Sequence, residues 1–111
     1  MSRNPRDTRK HPRVDLEVPV MVSDIAKKVR KPIRFASADV SGGGAFLRSD
    51  LLFEVGEVLH LEFDLPGGHR IRADGRVVRV SRGGQKDRHA GMGLEFLDLM
   101  PDDRAAIARL T

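Results

Sequence analysis

The chain has 111 residues, of which 20 are Lys or Arg and 16 are Asp or Glu, and it contains no Cys, Trp or Tyr. This length suits one domain with one core and leaves little room for a deep enclosed active site, so we expect binding at an edge or a loop. Without Cys, a disulfide framework, a thiolate zinc site and a cysteine nucleophile are excluded, and the 4 scattered His residues do not replace them. We therefore expect no metal site.

The formal charge of +4 is concentrated at the start of the chain. Residues 1–13 contain five basic side chains and one acid, Asp7, whereas residues 14–111 are neutral. A basic arm on a neutral body favours an anionic partner, although an inert, solvated tail has the same composition. We expect a flexible basic arm over residues 1–14 and a folded domain over residues 15–111. Because no apolar stretch is long enough for a signal peptide or a membrane span, we expect a cytoplasmic protein without membrane insertion.

Alternation of apolar and polar residues predicts the first three strands. It begins over residues 16–22, where Pro19 indicates an edge position or a bulge. Residues 33–40 predict a second strand with a less regular pattern, and residues 45–48 predict a short third one.

Three further strands and a helix are predicted in the second half of the chain. The alternation is clearest over residues 57–65, and a Pro-Gly-Gly turn follows. In the next strand the inward parity changes between Val77 and Val78, which predicts a β-bulge near residues 75–78. A sixth strand ends at Phe96. Pro101 and the acids after it then favour a short helix over residues 100–110. This all-β pattern with a terminal helix predicts an antiparallel barrel or a tight sandwich.

Two motifs lie beside these predicted strands. Residues 9–13, R-K-H-P-R, fit R-x-x-x-R just before the first strand, and residues 39–44, D-V-S-G-G-G, fit D-x-S-x-x-G at the end of the second. With these motifs in this order, the sequence resembles a PilZ domain, the bacterial receptor module for cyclic di-GMP. Residues 91–96, G-M-G-L-E-F, and the closing segment also resemble that family. The resemblance implies a six-stranded antiparallel β-barrel followed by a short C-terminal helix.

The side chains of the motifs suit a guanine nucleotide. The planar forks of Arg9 and Arg13 match the O6 and N7 acceptors of guanine, or two phosphate oxygens. Asp39 can accept from the N1 and N2 donors of guanine, Ser41 adds a hydroxyl, and Gly44 and its neighbours permit positive φ and close approach of a ligand to the backbone. The resemblance implies the same ligand-binding roles for these five residues, with cyclic di-GMP as the ligand.

Simpler interpretations of the same residues stay open. The two arginines are also compatible with ordinary tail charges, and residues 39–44 with a plain turn. A stripe of arginines on the fifth strand is most simply a solvated face balanced by acids on neighbouring strands. Its members are Arg70, Arg72, Arg76 and Arg79.

The hypothesis that follows is a cyclic di-GMP receptor or adaptor. The ligand would order the arm over the barrel and change a surface that an unidentified downstream protein reads. The alternative is a PilZ-like protein-interaction module that does not bind nucleotide. Binding of a nucleic acid polymer is not expected, because exposed aromatic residues for base stacking look scarce. Catalysis is not expected either, because Ser41 has no His partner nearby in sequence and Asp39 and Asp50 show no acid–base arrangement.

Overall fold

A computed structural model describes residues 13–24, 32–49, 53–82 and 90–110. Arg9 lies outside the described residues. Within them the chain forms, in order, β1 (Val14–Asp15), β2 (Pro19–Asp24), β3 (Ile33–Val40), β4 (Gly44–Arg48), β5 (Val58–Asp64), β6 (Arg70–Arg82), β7 (Ala90–Phe96) and α1 (Pro101–Ala108).

The strands form one closed antiparallel sheet. Their order is β1-β3-β2-β5-β6-β7-β4, and the pairing of β3 with β4 closes the sheet. Because β1 and β2 pair with successive parts of β3, Val14 opposite Val40 and Pro19 opposite Ala36, they are two parts of one interrupted strand. The fold is therefore the six-stranded barrel implied by the resemblance, and the sandwich is excluded. Pro19 begins β2 directly after the interruption, a position that proline tolerates.

The apolar residues of the alternating pattern fill the barrel. Phe63 on β5 and Phe96 on β7 are both buried, as predicted, and their rings stack with centroids 6.4 Å apart. The fully buried large side chains are Leu47, Leu59, Leu61, Ile71, Met92 and Ile107. The core thus uses one face of every long strand, which leaves the other face available for a site.

The terminal helix packs against the core through one face. Pro101 begins α1, acids follow in its first turn, and Arg109 is the C-cap residue. The helix therefore begins one residue after, and ends two residues before, the predicted range of 100–110. A helix of 8 residues depends on tertiary packing, which its buried Ala106 and Ile107 supply. Across the described part of the chain, no helix is both long and apolar enough to cross a membrane.

Acids on β5 balance part of the predicted arginine stripe. Arg70 Nε lies 3.0 Å from an oxygen of Asp64, and an oxygen of Glu62 lies 3.4 Å from Arg70 and 3.9 Å from Arg72. The predicted charge balance is confirmed for these two arginines.

His60 lies between two carboxylates on the same outer surface, with Nδ1 3.0 Å from Asp74 and Nε2 3.0 Å from Glu62. The hydrogen bond to Asp74 is the main cause that raises the pKa of His60 above 6.5, and the hydrogen bond to Glu62 adds to it. Together they outweigh the partial burial of the imidazole, which lowers its pKa. Because the pKa is higher in the folded state, the stabilisation is fully present below about pH 6.5 and is lost as the pH rises through the folded pKa.

We therefore expect His60→Gln to lower the free energy of unfolding more at about pH 5.5 than at about pH 8. Urea denaturation of the wild type and the variant at both pH values measures this difference. An equal loss at the two pH values would contradict the expectation.

Candidate functional site

Four strands bring a row of residues together on the outer surface of the barrel. Asp39 on β3 pairs with Phe46 on β4, Phe46 pairs with Gly93 on β7, and Gly93 pairs with Arg79 on β6. Arg13 directly precedes β1, whose pairing of Val14 with Val40 places Arg13 opposite the start of the Ser-Gly-Gly-Gly segment. The row therefore combines two arginines, a carboxylate and an aromatic ring.

Two β-bulges turn the charged members of this row outward. The pairing of β3 with β4 shifts between Ser37 and Asp39, so that Ala38 is the extra residue. The pairing of β6 with β7 shifts between Val77 and Arg79, which confirms the bulge predicted near residues 75–78. Ser37 and Val77 are fully buried, so uninterrupted alternation would turn Asp39 and Arg79 into the core as well.

A tight turn links β3 to β4 at the edge of the row. The Ser41 hydroxyl accepts hydrogen bonds from the Gly43 and Gly44 N–H groups, at 3.1 and 3.2 Å, and the Ser41 N–H donates to the Gly44 carbonyl at 2.8 Å. The turn is also joined to β7, because the Phe96 N–H donates to the Gly43 carbonyl at 2.8 Å. Ser41 thus stabilises the loop that carries it.

The row and the turn surround an open cavity of about 380 Å³. Its lining consists of Arg13, Asp39, Ser41, Gly43, Gly44, Ala45, Phe46, Val78, Arg79, Gly93 and Leu94. Four of the five predicted site residues, Arg13, Asp39, Ser41 and Gly44, therefore line the same cavity although they come from two separate motifs. The remaining one, Arg9, belongs to the part of the chain that is not described.

Arg79 and Phe46 are the main lining residues that the sequence interpretation missed. The Arg79 guanidinium lies over the Phe46 ring, 5.7 Å from its centroid, which is cation–π geometry. Gly93 lies between their two strands, and a Cβ there would stand 3.3 Å from the guanidinium nitrogens Nε and Nη2. The absence of a side chain at Gly93 thus lets the arginine reach the ring.

The expectation of positive φ at Gly44 and its neighbours is wrong, while close approach of a ligand to this backbone stays a prediction. The glycines with positive φ in the described chain are Gly56, Gly67 and Gly68. A Cβ on Gly44 would instead lie 2.0 Å from the carbonyl oxygen of Leu94 on β7. Glycine is required here because two backbones approach closely, which fixes the position of the turn against the sheet.

The cavity suits an anionic ligand with a planar ring. Two guanidinium groups can pair with phosphate oxygens or with acceptors on a base edge, and the carboxylate of Asp39 can accept from N–H groups. The Phe46 ring and the Arg79 plane offer flat surfaces for stacking. A nucleotide with phosphates and purine edges combines these features.

Comparison with known proteins identifies the family. The model of the PilZ domain matches residues 7–111. Comparison with the curated proteins found no match.

Solved structures of similar fold include the inhibitor of motility MotI of Bacillus subtilis, with a TM-score of 0.78 and 26% identity over 93% of this chain. The match spans 48% of the MotI chain, so this chain corresponds to about half of it. The PilZ domain of YcgR from Escherichia coli, solved with c-di-GMP, has a TM-score of 0.67 and 16% identity, covering 94% of this chain and 88% of its own. The PilZ domain of CeSA from a cellulose-synthesizing bacterium has a TM-score of 0.60 and 17% identity, covering 89% and 93%.

Proposed function

We propose that this chain, which belongs to the PilZ domain family, is a receptor that binds cyclic di-GMP in the cavity and acts by regulation rather than catalysis. The observation that carries the proposal is the convergence of Arg13, Asp39, Ser41 and Gly44 on one cavity. The YcgR PilZ domain, which shares the fold, was solved with this ligand. The chemistry of the cavity residues and the family of the chain therefore favour the same ligand.

Each polar group has a role that the ligand can use. Arg13 would pair with a phosphate and a guanine edge, and Arg9 would supply the second guanidinium of its motif. Asp39 would accept from guanine N1 and N2, while the turn at Ser41 and Gly44 would bound the ligand beside it. A dinucleotide brings two phosphates, which matches a site with more than one arginine.

Arg79 is proposed as a further ligand contact. Because its guanidinium already lies over Phe46, it presents a flat, positively charged surface in the same row as Asp39. We expect Arg79→Ala to weaken binding of cyclic di-GMP by about tenfold, through loss of one stacked or charge-assisted contact. Calorimetric titration measures the change. Arg82→Ala, on the same strand and not among the cavity residues, is the matched control, and an equal loss in both variants would contradict a specific role for Arg79.

Ligand binding would order the basic arm, expected over residues 1–14, over the domain of residues 15–111. Because Val14 already pairs with Val40 in β1, the ordering would concern the part of the arm before that strand. Arg9 and Arg13 belong to that arm, so their contacts would favour a closed arrangement over an open one. The ordered arm would then change a surface read by an unidentified downstream protein in the bacterial cytoplasm.

The test is a calorimetric titration of the purified chain with cyclic di-GMP, beside cyclic di-AMP and GMP. Equilibrium dialysis read by ultraviolet absorbance gives an independent check, because a chain without Trp or Tyr absorbs weakly where guanine absorbs. Saturable, guanine-selective binding supports the proposal, and the titration also gives the number of ligands per chain. If a folded chain binds none at high concentration, the proposal is wrong and the alternative becomes a nucleotide-independent interaction module.

A further inference from the structure

Ser37 is a fully buried polar side chain on the inner face of β3. It lies opposite residues 16–18, the interruption between β1 and β2. A buried hydroxyl in an apolar barrel needs hydrogen-bond partners, since an unpaired polar group there is costly. Its partners show what it does for the fold.

The backbone of Leu16 and Val18 has four polar groups that the regular ladder does not pair. Leu16 N–H donates to the Ala38 carbonyl at 3.2 Å, and Ser37 N–H donates to the Val18 carbonyl at 3.0 Å. The two remaining groups both use the Ser37 side chain. Val18 N–H donates to its hydroxyl oxygen at 3.0 Å, and the hydroxyl donates to the Leu16 carbonyl. One hydroxyl therefore completes the hydrogen bonding of the four backbone groups of Leu16 and Val18.

The strand that this junction supports is short and carries the site arginine. β1 has 2 residues and, within the described residues, pairs only with β3, and Arg13 directly precedes it. The register of Asp15 opposite Asp39 sets where Arg13 stands relative to the cavity. We infer that Ser37 is a positioning residue, whose buried hydroxyl fixes β1 so that Arg13 lines the cavity together with Asp39. This inference rests on the proposed function, because Arg13 is positioned there for the ligand.

The first experiment measures affinity for cyclic di-GMP in Ser37→Ala. Loss of the hydroxyl leaves the Leu16 carbonyl and the Val18 N–H without partners, so the junction moves and affinity is expected to fall about tenfold. Ile71→Val is the matched control, because it shortens a fully buried side chain on β6 that does not line the cavity. Unchanged affinity in Ser37→Ala, or an equal loss in Ile71→Val, would overturn the inference.

A double-variant cycle separates positioning from a general weakening of the site. If Ser37 acts through Arg13, Ser37→Ala added to Arg13→Ala lowers the remaining affinity by less than about twofold. A further tenfold loss in that background would show that Ser37 acts independently of Arg13 and would overturn the inference. If Ser37→Ala does not fold, Ser37→Cys, with a weakly hydrogen-bonding thiol of similar shape, is expected to show the same changes to a smaller degree.

Amide hydrogen exchange of the unliganded protein distinguishes this inference from the proposed function. The acceptor of the Leu16 N–H is the Ala38 carbonyl, which the substitution leaves in place. Faster exchange at Leu16 in Ser37→Ala therefore reports a loosened junction rather than a deleted hydrogen bond. If the wild type does not bind cyclic di-GMP, the proposed function is wrong. The exchange rate of the Leu16 amide still tests whether Ser37 holds the junction between β1 and β2. Exchange unchanged at Leu16 would overturn the inference whatever the ligand.

Discussion

Arg13→Ala is expected to weaken binding of cyclic di-GMP by about 100-fold while leaving the free energy of unfolding almost unchanged. The side chain is exposed and lines the cavity, so its removal takes no apolar surface from the core. A bidentate contact to a guanine edge contributes about 1–3 kcal/mol, and the upper part of that range corresponds to a loss of this size. Calorimetric titration measures the affinity, and circular dichroism in urea measures the stability.

Two further variants make the result for Arg13 specific. Arg34→Ala removes an exposed arginine from β3 that does not line the cavity, and it is expected to bind like the wild type. Arg13→Lys keeps the charge but loses the planar fork, so its affinity should fall between those of the wild type and the alanine variant. If Arg13→Ala binds as tightly as Arg34→Ala, the assignment of the ligand site is wrong.

Gly44→Ala is expected to destabilise the fold by about 3 kcal/mol or more. Its Cβ would stand 2.0 Å from the Leu94 carbonyl oxygen and 3.0 Å from the Leu94 carbonyl carbon, both backbone atoms. Two paired strands would have to separate, and a loss of this size is a large fraction of the roughly 5–15 kcal/mol that holds a small domain together. Urea unfolding followed by circular dichroism measures the change.

Gly93→Ala provides the contrast for Gly44→Ala. Its Cβ would meet the Arg79 guanidinium at 3.3 Å, the far end of a flexible side chain. We expect a loss of stability below about 1 kcal/mol, together with weaker ligand binding because Arg79 is displaced from Phe46. Equal destabilisation by the two substitutions would contradict the packing argument for Gly44.

A β-bulge could be predicted from the sequence where buried apolar residues lie on both sides of the change in inward parity. On β6 the parity changes between Val77, which is buried, and Val80, which packs against the core, and the predicted bulge lies between them. The inward direction predicted for Val78 is wrong, because its side chain is 49% exposed. On β3 the second bulge gives no such signal, because Ser37 is polar although buried and Ala38 fits either face. Alternation reports burial only when the buried side chain is apolar.

The candidate site was accessible from the sequence only in part. The two motifs contain residues that line one cavity in the structure. They could be found because each motif keeps side chains of suitable chemistry at a fixed spacing in the sequence. For Arg79 the sequence predicts only a place in the solvated arginine stripe, because one strand does not show which side chains the neighbouring strands carry beside it. Phe46 did offer a signal, because it occupies the outward parity between the buried residues Ala45 and Leu47. Its parity alone therefore indicates an aromatic ring on the outer surface of the barrel.

The bulge at Ala38 makes deletion and substitution act on different parts of the barrel. Ser37 pairs with Leu47 and Asp39 pairs with Phe46, which precedes Leu47 on β4. An in-frame deletion of the Ala38 codon would therefore leave a regular ladder in which Asp39 still faces outward. The deletion would instead remove the carbonyl that accepts from the Leu16 N–H, and so would act on the interruption between β1 and β2. Substitution of Asp39 removes the carboxylate itself, whereas shortening β3 at Ala38 acts on the strand that follows Arg13.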